Sequence, residues 1–347
     1  MKTDKGTISV SMVEETLALA RARGFDALPL AEAAGIAAPM LGSPKSRVSS
    51  AQYGALWAGI ARALDDEFFG QDSHRMKSGS FIAMTQTALT ARNGAQALAR
   101  AVGFMRLVLD DLGAQIDTSA ERVRLRFIER EGAPAPAPAM FAYATWFILV
   151  YGLLCWLVGR RIPLLEARFR CAEPPAAHEY RLMFCDHMSF DQAESYVDLA
   201  PAFLDLPVIQ TTKSVKPFLR DAPGSFIVKY RNAGSLAARV RKTLRALPMS
   251  GWPAADQMAA RLHVAEATMR RRLKQEGYTY QSIKDDLRRD IAIGELQGTD
   301  RTIADIATAV GFAEPSAFHR AFRKWTGMRP TDYRPARADF TQRTESD

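Results

Sequence analysis

The sequence predicts an α+β N-terminal domain over residues 1–230. An all-α domain over 231–337 follows, made of two helix-turn-helix units joined by a linker helix, and 338–347 is a polar tail. Three observations carry this. Runs that alternate apolar and charged residues are confined to the first two thirds of the chain. After residue 235 a pattern of helix, tight turn and helix occurs twice. The basic surplus falls in that same stretch: residues 236–337 hold 19 Lys/Arg against 11 Asp/Glu, which equals the formal net charge of the whole chain, +8. At 347 residues and 48% hydrophobic, there is apolar material for more than one core.

Taken in order, residues 11–23 and 51–64 have helical spacing. The stretch Gly79–Leu112 contains a long helical pattern, with Leu98, Val102, Met105 and Leu109 on one face. Residues 121–130 alternate through Val123, Leu125 and Phe127, the period of a half-buried strand. The run Gly132–Pro138, with a proline at every second position from Pro134, reads as a loop. Ala139–Gly159 is 21 residues without a charge, followed by Arg160 and Arg161. Length and polarity admit a membrane span. The globular sequence on either side favours a buried core helix. Two further strands are expected at Leu165–Cys171 and Glu179–Phe184, with Pro174-Pro175 as the turn between them. Gly224, Asn232 and Gly234 place the domain boundary near 222–234.

The first helical unit spans residues 254–277. Met258, Ala259 and Leu262 form one apolar stripe, His263-Val264 the turn, and Met269 and Leu273 the inner face of a second helix that Gly277 ends. That helix turns Thr268, Arg270, Arg271, Arg272 and Lys274 outward. The second unit spans 302–327. Ile303, Ile306, Ala307 and Val310 are its first stripe, Gly311-Phe312 its turn, and Phe318 and Phe322 its second inner face. Ser316, Ala317, His319, Arg320 and Arg323 point out, and Gly327 closes the helix. The units superpose by sequence: Leu262 on Val310, Val264 on Phe312, Met269 on Phe318 and Leu273 on Phe322. A repeat of this kind is more specific than either copy alone.

A helix with an outward basic face fits the major groove of double-stranded DNA. Arginine forks onto guanine, and short side chains such as Ala267, Thr268, Ser316 and Ala317 permit close approach. Arg271 and Arg320 hold matching places and are expected to touch bases; most other outward cations are expected on phosphates or in solvent. Tyr280–Leu296, with Ile283, Leu287 and Ile291 on one face, reads as a helix of about 25 Å that spaces the two readers. One protomer would then cover two successive major-groove segments.

The C-terminal region is similar to the AraC/XylS family of bacterial regulators. The resemblance covers roughly 236–335 and rests on Ile303, Ile306, Ala307, Gly311-Phe312, Phe318, Arg320 and Phe322, then Gly327, Pro330 and Tyr333. It implies two recognition helices in adjacent grooves. Carried over by position, the DNA-binding residues are Ala267, Thr268, Arg270, Arg271, Lys274, Ser316, Ala317, His319, Arg320 and Arg323. His263 departs from the glycine usual in such turns. The segments 76–114 and 218–232 resemble the N-terminal domain of the subgroup containing the ornithine-utilisation regulator, labelled arabinose-binding-like. This implies an effector-binding or dimerisation domain, and soluble members favour burial of 139–159.

No enzymatic motif accompanies these units. The sequence holds no P-loop, GxGxxG or HExxH, and Cys185-Asp186-His187 lacks any nucleophile motif. Asp65-Asp66-Glu67 and Asp110-Asp111 read as helix-end or surface acids. Cys155, Cys171 and Cys185 are widely spaced and suit a reducing cytoplasm, and the first 15 residues hold no signal-like apolar core. No cofactor or metal is expected, and no membrane. Trp146, Tyr151 and Trp156 are candidates for a pocket wall or for plain core. The expected partners are double-stranded DNA, a small-molecule effector, RNA polymerase if the protein activates, and a second copy if the N-terminal domain dimerises.

Overall fold

The computed structural model describes residues 7–130, 138–185, 187–222, 236–276 and 278–334. The chain opens with β1 (Thr7–Ser9) and α1 (Val10–Ala22), the Ser9 hydroxyl accepting from the Ser11 N–H at the helix head. After α2 (Ala27–Ala33) and α3 (Ala38–Leu41), β2 (Arg47–Ser49) returns antiparallel to β1. It runs straight into α4 (Ser50–Leu64), which Ser49 and Gln52 cap reciprocally.

The helical stretch expected from residue 79 is two helices, α5 (Ser80–Leu89) and α6 (Gly94–Val108). Asn93 divides them, its side-chain oxygen accepting from the Gln96 N–H at 3.0 Å. The expected face of α6 is buried through Leu98, Val102 and Met105.

The main sheet runs β3 (Leu112–Thr118), β4 (Val123–Glu129), β7 (Tyr196–Leu199), β5 (Leu164–Arg168), β6 (Met188–Ser189) in spatial order. All pairs are antiparallel except β5 with β6. In β4 the alternation holds: Val123, Leu125 and Phe127 face the core, while Arg124 forks onto Asp198 at 2.8 Å.

Across the inner face lies α7 (Met140–Leu157), all 18 residues buried. A helix apolar on every side needs cover on every side. The sheet supplies Phe127, whose ring meets Tyr143 and Trp146 at 5.1 and 5.3 Å. On the other side Phe141 meets Trp57 of α4 and Phe69. Length and composition would suit this helix to a membrane, yet here it is the centre of the N-terminal core.

One strand expectation is overturned. Residues 179–184 lie mostly in a helix, α8 (Ala177–Met183), not a strand. Ala177, Tyr180 and Met183 are buried at steps of three, and the Pro174 carbonyl accepts from the Ala177 N–H just before the helix. A short apolar run fits either period, and packing decided it. The helix α9 (Thr212–Asp221) completes this part. The loop expected at Gly132–Pro138, the boundary near 222–234 and the polar tail lie largely outside the described residues, as does Gly277.

Beyond residue 235 the described chain is helical throughout: α10 (Leu236–Arg245), α11 (Ala255–Arg261), α12 (Glu266–Gln275), α13 (Tyr280–Gly298), α14 (Ile303–Ala309) and α15 (Pro315–Thr326), with short 3₁₀ turns between and after them.

Candidate nucleic-acid interface

The two turns are one piece of backbone built twice. In the first, the Leu262, His263 and Val264 N–H groups donate to the carbonyls of Met258, Ala260 and Ala259 at 3.1, 3.0 and 3.0 Å. In the second, Val310, Gly311 and Phe312 donate to Ile306, Thr308 and Ala307 at 2.9, 3.0 and 2.9 Å. Every partner is displaced by 48 residues. Such a closure needs a left-handed residue. Gly311 supplies it at φ +81°, and His263 supplies it at φ +57° despite its side chain.

The inner faces are buried as the repeat requires: Met269 and Leu273 under α12, Phe318 and Phe322 under α15. The outer faces remain open. Ala267, Arg270, Arg271 and Lys274 are exposed and Thr268 is half-buried. At equivalent positions Ser316, Arg320 and Arg323 are exposed, with Ala317 and His319 half-buried. Arg270 is engaged by Glu266 one turn earlier, and the His319 ring lies 6.2 Å from that of Phe318. Arg271, Lys274, Arg320 and Arg323 make no ion pair among the described residues, so their charge is available to a polyanion. Pro315 opens α15 at its first position and Gly327 ends it at φ +76°.

The linker helix α13 belongs to both units. Ile283 and Leu287 lie in the core that α10, α11 and α12 share. Ala292, Ile293 and Leu296 lie in a second core with Ile306, Phe318 and Phe322. One rigid helix of 19 residues, about 28 Å long, therefore carries both readers.

That second core is continuous with the core of the N-terminal domain. Polar contacts line the joint. Thr7 Oγ1 donates to Asp290 Oδ1 at 2.5 Å, Ser43 Oγ to the Thr326 carbonyl at 3.1 Å, and the Arg47 N–H to the Tyr333 hydroxyl oxygen at 3.1 Å. Behind them Arg47 forks onto Glu179 at 2.6 and 3.1 Å and donates to the Thr7 carbonyl at 2.9 Å. Burial opposes the Arg47 charge, but the Glu179 carboxylate, aided by Asp290 and Asp286, overrides it and raises the guanidinium pKa. The first unit meets the N-terminal domain more lightly, through Leu182 and the His178 ring 6.0 Å from Tyr278.

Sequence reading missed these joint residues. Arg47 and Glu179 are 132 positions apart, and nothing local marks them as partners. The helices expected beyond residue 235 include α10, though the sequence did not delimit it; its first N–H groups, of Leu236 and Ala237, are capped by Glu276 at 2.9 and 2.8 Å. Cys185 is buried with its thiol directed to the His187 carbonyl at 3.5 Å, and Asp186 lies outside the described residues. Trp146 is core. Trp156 stacks on Phe218 at 4.1 Å. No metal-holding cluster occurs among the described residues.

Paired helix-turn-helix units with open cationic faces define a DNA-binding transcription regulator. Residues 24–208 match the arabinose-binding N-terminal domain of AraC transcription regulators, and 258–336 match a helix-turn-helix domain. The chain belongs to the AraC family of transcription regulators, whose members are regulators rather than enzymes. It is 29% identical over 332 residues to the ornithine utilization regulator of Pseudomonas aeruginosa, covering 95% of this chain and 96% of that one. It is 36% identical over 101 residues to the regulator VqsM of the same organism, covering 29% and 31%. Among solved structures it is similar to the transcriptional regulator CdpR, also of Pseudomonas aeruginosa, at 21% identity and a TM-score of 0.30, covering 83% and 84%.

Proposed function

We propose that the protein reads two adjacent major-groove segments of one operator, inserting α12 and α15, and that a small molecule bound by the N-terminal domain controls the reading. One observation carries the first part: two identical turns, each presenting a helix with an open basic face, are built on the single strut α13. The proposed base-contacting or backbone-contacting set is Ala267, Thr268, Arg270, Arg271, Lys274, Ser316, Ala317, His319, Arg320 and Arg323. Control by the N-terminal domain is supported by its polar joint to α13 and α15. The protein acts in the cytoplasm, where its DNA lies. RNA polymerase contact and dimerisation through the N-terminal domain belong to the same proposal.

Gel-shift titration against genomic fragments tests it. A preferred fragment should emerge, and its footprint should span about 20 base pairs per protomer, two turns of the duplex. Contact with about six phosphates gives a slope of log K against log salt near −5. Equal binding to all fragments, or protection of only one groove segment, would refute the two-reader arrangement.

A further inference from the structure

A cavity of about 240 Å³ lies in the N-terminal domain, walled by α4, α5, α7 and α9. Its lining is mostly apolar: Trp57, Phe69, Phe81, Ile82, Leu149 and Leu219. The volume sits just below the usual range of small-molecule sites, about 300–1,000 Å³. Behind α9's contribution, Phe218 is stacked on Trp156 and lies 6.0 Å from Phe81, so aromatic rings hold this wall in shape.

Three polar side chains reach the cavity: Arg62, Glu67 and Ser78. They are not equally free. Glu67 is committed to the head of α5, its two oxygens accepting from the Gly79 and Phe81 N–H groups at 2.7 and 2.6 Å. Arg62, in the last turn of α4, makes no ion pair or side-chain hydrogen bond among the described residues. The wall also includes Trp57, whose indole N–H is buried without a hydrogen-bond partner among the described residues. A buried donor left unsatisfied is costly, which makes its presence in a cavity wall informative.

We infer that this cavity is the effector site and that it takes a small apolar carboxylic acid, the hydrocarbon body between Trp57, Phe69 and Phe81 and the carboxylate on Arg62. The inference rests on the reading of the N-terminal domain as an effector domain. The match is one of chemistry. An apolar slot rewards hydrocarbon burial, and an uncommitted guanidinium at its side rewards a bidentate anion. A pentose, despite the description of the family's N-terminal domain, is poorly served. Several hydroxyls would each need a partner, and the wall offers few that are not already engaged. The position has a mechanical consequence. The cavity is lined by the second half of α4, and the residues leading into the first turn of α4 are Arg47–Ser49, which hold the joint to the second reader.

Calorimetric titration of the full chain, without DNA, tests the site. The probes are 3-phenylpropionate, hexanoate and octanoate, with 3-phenylpropionamide and L-arabinose as controls. At least one acid should bind saturably. Its amide and arabinose should bind at least 10-fold more weakly. Arg62→Ala should weaken the acid at least 10-fold, Arg62→Lys should restore part of it, and neither should alter the melting curve of the free protein, since Arg62 is exposed. No saturable binding by any of the acids, equal binding of acid and amide, or indifference to Arg62→Ala would overturn the assignment. Gel shifts with and without the acid are a separate arm. An acid that binds but leaves DNA affinity unchanged would keep the site and sink effector control. A different metabolite that shifts DNA affinity while no acid binds would do the reverse.

Discussion

His263 and Gly311 hold the same backbone conformation with different side chains, so substitution should move them in opposite directions. A left-handed conformation costs a residue with a Cβ about 1–2 kcal/mol. A Cβ on Gly311 would meet Arg288 Nη2 no closer than 3.8 Å, so the penalty there comes from the backbone and not from a clash. Gly311→Ala should therefore destabilise by about 1 kcal/mol, once the smaller entropy of the unfolded chain is allowed for. His263→Gly should be neutral or mildly stabilising, for the same two reasons reversed. Urea denaturation checks both, and an unchanged Gly311→Ala midpoint would contradict the argument. On the outer faces, Arg271 and Arg320 are exposed and make no ion pair among the described residues, whereas Arg270 is engaged by Glu266. Arg271→Ala or Arg320→Ala should cost about 1–3 kcal/mol on the cognate site and relax base preference. Arg270→Ala should weaken cognate and random DNA alike. Equal losses on both DNAs for Arg271→Ala would reduce it to a phosphate contact.

The helix α13 joins two cores, and truncations along it should separate them. Leu287 is buried with α10, α11 and α12, while Ile293 is buried with α14, α15 and the N-terminal core. Either change to Ala costs about 2–5 kcal/mol. Leu287→Ala should accelerate amide exchange in α11 and α12 and leave α14 and α15 protected; Ile293→Ala should do the converse. Spread of both effects over all four helices would mean one core, not two. These elements were legible in the sequence because each signal was local and repeated. The stripes of α11 and α14, the two turns and the two inner faces lie within 26 residues of one another in each copy. Strands were less legible. β4 announced itself by alternation, but β7 (Tyr196–Leu199) is buried at every position and shows none. α8 was misread because Tyr180, Leu182, Met183 and Phe184 crowd apolar residues too tightly to reveal a period. Least legible was the joint, where Thr7, Arg47, Glu179, Asp290 and Tyr333 come from five separate elements.

At the scale of the whole molecule that joint decides how the readers are held. It engages Asp290 on α13, the Thr326 carbonyl at the end of α15, and Tyr333 beyond it. It leaves Ser316, Arg320 and Arg323 exposed. The N-terminal domain therefore orients the second reader without covering it, and the first reader follows mainly through α13. Arg47 is the centre of the joint, and removing it takes away the guanidinium that forks onto the buried Glu179 carboxylate. Arg47→Ala should destabilise by about 3–5 kcal/mol, the cost of breaking a buried ion pair from one side. Adding Glu179→Gln should recover part of that loss, because the buried carboxylate that Arg47 had balanced is then neutral. The single variant should also expose α14 and α15 to amide exchange well before α4, while retaining DNA binding through its unaltered outer faces. Two results would refute an orienting joint. One is amide exchange in α14 and α15 that Arg47→Ala leaves unchanged. The other is a double variant no more stable than Arg47→Ala, which would mean that the contact with Glu179 carries none of the hold.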